Sequence, residues 1–231
     1  MSHFEKFITD CVAVESRPTF SHTQFGMSDR GAREFEKLLV SLDVFETHPT
    51  IVAIAGEQKV RLTHAALGMS SEIPEYQDAC LKSDDINVME ELGDILWYWA
   101  IAIDTLKLNP WRIHQAGKIA VEPLENNTIS AEEVEKVLVY HIGQFADHAK
   151  KHAMYNRELD VAAAGFDLAM VIRAVEDLLV LRFGRNGEHT LETTMARNTD
   201  KLRKKRFKNG YSDEAANNRD TDEERKALEG E

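Results

Sequence analysis

The stretch that decides the fold is GMSSEIPEYQDACLKSDDINVMEELGDILWYWAIAIDTL, residues 68–106. It holds two acidic pairs, Glu72 with Glu75 and Glu91 with Asp94, each three residues apart and with fifteen residues between the pairs. Positions i and i+3 share a helix face, so each pair presents both carboxylates in the same direction. If the two helices pack antiparallel through the loop near Lys82–Asp85, the pairs face one another. Two unit charges about 4 Å apart interact by roughly 4 kcal/mol at an effective dielectric of 20, so four carboxylates in one cleft repel strongly. A divalent cation removes that penalty. An all-oxygen donor set favours Mg2+ or Mn2+, and no Cys/His cluster points to zinc.

Downstream of the second pair, ILWYWAIAI at 95–103 is far shorter than the ~18–20 apolar residues needed to span a bilayer, and it reads as a buried helix. Asp84 or Asp85 supplies the N-cap of this helix, which is expected to reach Leu108 and stop at Asn109-Pro110. Upstream, residues 57–81 read as helical, with Pro74 predicting a kink inside the first acidic pair because proline removes one backbone hydrogen bond. Nearer the start, a capping-box pattern of Ser2 with Glu5 opens a short helix to about Glu15. Phe35, Leu38, Leu39, Leu42 and Phe45 mark a second amphipathic helix. The run IVAIAG at 51–56 fits a brief strand or an extended connector equally well.

PWRIHQAG begins a short helical turn, Ser130 with Glu133 caps another helix, and Asp160 caps a helix over 161–183 that ends at Gly184. Thr190 to Phe207 is the last strong helical pattern. Asn209-Gly210 is a turn, and the final twenty residues are polar enough to read as frayed helix or a mobile tail. The fold class expected is all-α, an antiparallel helical bundle. Its parts would be N-terminal helices over 1–56, a helical bundle over 57–208, and a polar tail over 209–231.

The 231 residues are 43% hydrophobic, ample for a core, and carry a net charge of −12. That charge argues against nucleic acid as a partner, although KLRKKRFK at 201–208 concentrates six basic residues. Two cysteines without CxxC spacing, and no apolar signal-peptide core at the N-terminus, predict a reduced cytoplasmic protein without membrane attachment.

Three elements, GxxxExxE at 68–75, EELGD at 90–94 and NxxKLxxxRF at 198–207, together resemble the MazG-like all-α nucleoside triphosphate pyrophosphohydrolases, relatives of the dimeric dUTPases and dCTPases, over roughly residues 60–220. The resemblance implies Mg2+-dependent conversion of an NTP or dNTP to the monophosphate and pyrophosphate. It implies metal ligation by Glu72, Glu75, Glu91 and Asp94, and triphosphate contacts from Asn198, Lys201 and Arg206. Arginine grips phosphate through two parallel hydrogen bonds and lysine acts as a point charge. Lys204, Lys205 and Lys208 read as a solvated basic face. Trp97, Trp99 and Trp111 read as core rather than as stacking platforms, and histidines 64, 141, 148 and 152 carry no metal pattern. The competing readings are a non-catalytic acidic helical interaction protein, or a hydrolase of an alarmone or modified nucleotide.

Residues 130–208 also echo residues 57–125: Gly68, Glu72 and Glu75 match Gly143, Asp147 and Lys150, while Glu91 and Asp94 match Ala164 and Asp167. A duplication with a degenerate second half would let a monomer suffice; otherwise a homodimer is expected.

Overall fold

The structure, a computed structural model, describes residues 2–15, 49–120, 129–184, 189–208, 212, 214 and 220–229. Among these the chain is helical, with no β-strand. The helices are α1 (His3–Ala13), α2 (Pro49–Lys82), α3 (Asp85–Thr105), α4 (Pro110–Ala120), α5 (Ala131–Tyr155), α6 (Val161–Phe183), α7 (Leu191–Asp200) and α8 (Thr221–Glu229), with a π-helical turn (Lys201–Arg206) after α7. The expected helix around Phe35–Phe45 and the Asn209-Gly210 turn lie outside the described residues.

Helix starts follow the capping residues. Ser2 and Ser130 each form a complete capping box, with Glu5 and Glu133 respectively. Asp84 accepts from the Asn87 amide at 3.2 Å and Asp160 from the Ala163 amide at 2.9 Å. Helix ends depart more from expectation. Residues 51–56 are neither strand nor connector but part of α2, which continues through Pro74 to Lys82. Helix α3 stops at Thr105 rather than Leu108, because Lys107 turns left-handed (φ 53°). The Leu108 amide then bonds back to the Ile103 carbonyl at 3.1 Å and the Lys107 amide to Asp104 at 3.1 Å, a Schellman closure without the usual glycine. Ser83 (φ 55°) closes α2 the same way, with Asp84 bonded to the Ala79 carbonyl.

Only Ser83 and Asp84 separate α2 from α3. Along this pair Arg61 meets Asp104, Gly68 meets Tyr98 and Glu72 meets Asp94, so residue numbers rise in one helix as they fall in the other. Helix α3 is the centre of the fold and touches α1, α2, α6, α7 and α8. Its apolar run from Ile95 to Ile103 is buried except at Tyr98, which is partly exposed. Trp99 is wholly buried and donates its indole N–H to the Leu168 carbonyl of α6 at 2.9 Å. Phe4, Phe7 and Cys11 of α1 belong to the same core. No described helix is long and apolar enough to cross a membrane.

One expectation needs correction. Trp111 is not core but 54% exposed. Of the two readings of the final twenty residues, frayed helix or mobile tail, residues 221–229 take the helical one as α8, in which Glu224, Ala227 and Leu228 are buried. The core assignment predicts that Trp99→Ala costs about 3–5 kcal/mol through cavity formation. Trp111→Ala should stay within about 0.5 kcal/mol of the parent, as a surface change does. Urea unfolding followed by circular dichroism separates the two.

Candidate metal centre

Glycines bring the acidic helices together. A Cβ at residue 68 would stand 2.2 Å from the Tyr98 ring, so only glycine lets that ring lie against the α2 backbone, one helical turn before Glu72. In EELGD, a Cβ at residue 93 would stand 3.1 Å from Asn198 of α7, which reaches Asp94 from there. The motif glycines are thus explained by close approach, with no special backbone angle at either position.

Glu72 of α2 with Glu91 and Asp94 of α3 each offer a carboxylate oxygen within 4.8 Å of the others. Glu72 is buried, and Glu91 and Asp94 are partly so. The expected quartet is therefore a trio. Glu75 is exposed and lines the same cavity but lies outside the tight group. The cavity is about 520 Å³, walled by Glu72, Glu75, Glu90, Glu91, Asp94, Trp97, Tyr98 and Arg206 among others, and closed on one side by α8.

Behind the trio sits Lys201, wholly buried. Its ammonium donates to both Asp94 oxygens at 2.7 Å and to Glu90 at 3.1 Å. Asn198 donates its amide to Asp94 at 2.5 Å, while its own carbonyl oxygen is buried without a partner. Lys201 and Asn198, expected at the triphosphate, are joined to Asp94 and do not line the cavity. Arg206 does line the cavity, and its guanidinium is held in a two-pronged pair by Glu224 at 2.8 and 2.5 Å.

The π-helical turn explains how Lys201 and Arg206 serve one site. In an α-helix, residues five apart point about 140° away from each other. The wider i→i+5 turn narrows that divergence, and both side chains feel Asp94 and Glu90.

Burial, reinforced by Asp94 and Glu75, raises the Glu72 carboxyl to about 7. Burial with Asp94 and Glu90 raises Glu91 to about 9. Burial alone would lower Lys201, but Asp94 and Glu90 outweigh it and hold the ammonium charged. Carboxylates packed this closely keep protons unless another cation balances them. The three carboxylate oxygens are an all-oxygen donor set of the kind that suits Mg2+ or Mn2+.

Sequence reasoning missed Glu90, Tyr98 and Glu224. Glu90 had a usable signal, since it lies four residues before Asp94 and so on the same helix face. Glu224 had none. In the second half, Asp147 is tied to Lys150 at 2.6 Å and to Lys151. Asp167, matched by spacing to Asp94, is buried between His141 at 2.8 Å and His148 at 3.4 Å. Among the described residues, Glu72, Glu91 and Asp94 form the one group able to hold a metal. Comparison with known protein families, curated proteins and solved structures finds no match.

Because Glu72 and Glu91 bind protons more tightly folded than unfolded, their contribution to stability is present below about pH 4.5, the ordinary carboxylate value, and is lost as pH rises through about 7 and about 9. Melting temperature in EDTA should therefore fall between pH 6 and 9, and saturating Mg2+ should flatten the decline; parallel slopes with and without Mg2+ would remove the metal assignment. Lys201→Met should destabilise by about 3–5 kcal/mol, since it leaves Asp94 and Glu90 buried without a counter-charge.

Proposed function

We propose that the chain hydrolyses a nucleoside or deoxynucleoside triphosphate to the monophosphate and pyrophosphate in a Mg2+-dependent reaction. The observation that carries this reading is the convergence of Glu72, Glu91 and Asp94 within 4.8 Å in a cavity that also presents an arginine. Such an arrangement suits a polyanion that arrives with or meets a divalent cation, and the volume, about 520 Å³, is in the range of small-molecule sites.

In this reading Glu72, Glu91 and Asp94 hold the cation. When bound, Mg2+ or Mn2+ polarises a phosphoryl oxygen and lowers the pKa of water on it. Lys201 and Asn198 fix the Asp94 carboxylate in place. Glu75, on the cavity wall outside the ligand trio, orients the attacking water and takes its proton. Arg206 meets the charge of the phosphate chain. Tyr98 and Trp97 give the cavity its aromatic wall. One chain supplies every one of these residues.

The test is incubation with a panel of NTPs and dNTPs plus Mg2+, with pyrophosphate and monophosphate measured separately. Both products are expected in equal amounts. Release of orthophosphate, or no turnover of any nucleotide, would overturn the reading. Glu72→Gln and Glu91→Gln should abolish turnover and weaken Mn2+ binding together. Glu75→Gln should lower kcat by about a hundredfold, within the usual range for a general base, with Mn2+ affinity, followed by electron paramagnetic resonance, left intact.

A further inference from the structure

Helix α8 contributes Thr221, Asp222, Glu224 and Arg225 to the cavity wall. Within it, Glu224 engages Arg206 through both carboxylate oxygens, Nε to Oε1 at 2.8 Å and Nη2 to Oε2 at 2.5 Å. This forked pair is the geometry that arginine uses on phosphate. It is also well shielded, with the Arg206 side chain 14% and the Glu224 side chain 3% exposed. The guanidinium lies close enough to Asp94 and Glu90 to feel their charge, so it is at the metal-binding side of the cavity.

We infer that Glu224 occupies a phosphate subsite, that α8 is an internal stand-in for an anionic ligand, and that a polyphosphate must displace the helix to reach Arg206. The inference rests on the triphosphate reading above and adds to it a built-in competitor. One guanidinium fork cannot serve a carboxylate and a phosphate together. Leaving Glu224 beside an incoming polyanion would add repulsion in a cavity already crowded with carboxylates.

The attachment of α8 suits displacement. Nine residues of helix are too few to persist alone in water. Its buried apolar side chains are Ala227 and Leu228. The further anchors, Lys205 with Glu223 at 3.0 Å and Arg225 with Asp84 at 3.2 Å, are partly exposed ion pairs of the kind that contributes little. Residues 220–229 carry five acidic and two basic side chains, so the segment has the charge sign of the ligand it would imitate.

The experiment is calorimetric titration of inorganic triphosphate with Mg2+ into the full chain, Glu224→Gln, a chain ending at Asp220, and Arg206→Ala. A charge-assisted hydrogen bond accounts for about ten- to a hundredfold in affinity. Glu224→Gln and the shortened chain should therefore bind at least about tenfold more tightly than the full chain, and Arg206→Ala more weakly. In the full chain, amide exchange over residues 221–229 should speed up when triphosphate is added. Glu224→Gln retains the whole chain, so the answer does not depend on the shortened chain folding. Unchanged or weaker affinity in Glu224→Gln, or slower exchange over 221–229, would overturn the displaced-helix inference while leaving the triphosphate reading intact. Absence of binding by every variant would remove both.

Discussion

A fully buried ammonium organises the packing around the acidic trio. Lys201 has no water to solvate it, and its position is tolerable only because Asp94 and Glu90 surround it. That requirement ties the π-helical turn to α3 and sets the depth at which α7 lies against the bundle. It also places Asn198 beside Asp94. Once Lys201 is in place, Arg206 follows at the far end of the same turn and faces the cavity. The acidic trio is thereby given one permanent positive neighbour, which holds Asp94 without neutralising Glu72 and Glu91.

The second constraint is steric. The carboxylates come within 4.8 Å because α2 and α3 approach closely, and they do so where glycine removes a side chain. Tyr98 fills the space over Gly68, and Asn198 fills the space beside Gly93. Burial then acts on charge: Glu72 and Glu91 are pushed up into and beyond the neutral range. Close packing and charge density are thus one property here. A cleft built this tightly from carboxylates holds protons unless a cation balances it.

Elsewhere the protein resolves its buried charges internally. Arg61 is shared between Glu15 and Asp104, at 2.7 and 2.8 Å, and ties the entry of the chain to the α2 and α3 pair. Asp167 is enclosed by His141 and His148, so the second half presents a satisfied aspartate where the first half presents an open cluster. The contrast between these closed networks and the trio is what makes the trio the candidate site.

How much of this was legible in the sequence follows from the range of the forces involved. Helical periodicity, capping boxes at Ser2 and Ser130, the cap at Asp160 and the i,i+3 acidic pairs are local, so the all-α class, most helix starts and the principal carboxylates could be read directly. The α2 end was legible to within a residue, but the α3 end at Lys107 was not, because a left-handed residue other than glycine carries no compositional mark. Nor was the incorporation of residues 51–56 into α2, since so short an apolar run has no distinguishing period. What only the tertiary structure decided were the relations between distant segments: that Glu75 stands apart from the trio, that Lys201 turns to Asp94 and Glu90, that Trp111 faces solvent, and that Glu224 reaches Arg206. Each depends on how whole helices approach one another in space, and the distances and burial that set the strength of a charge pair come into being only with that approach.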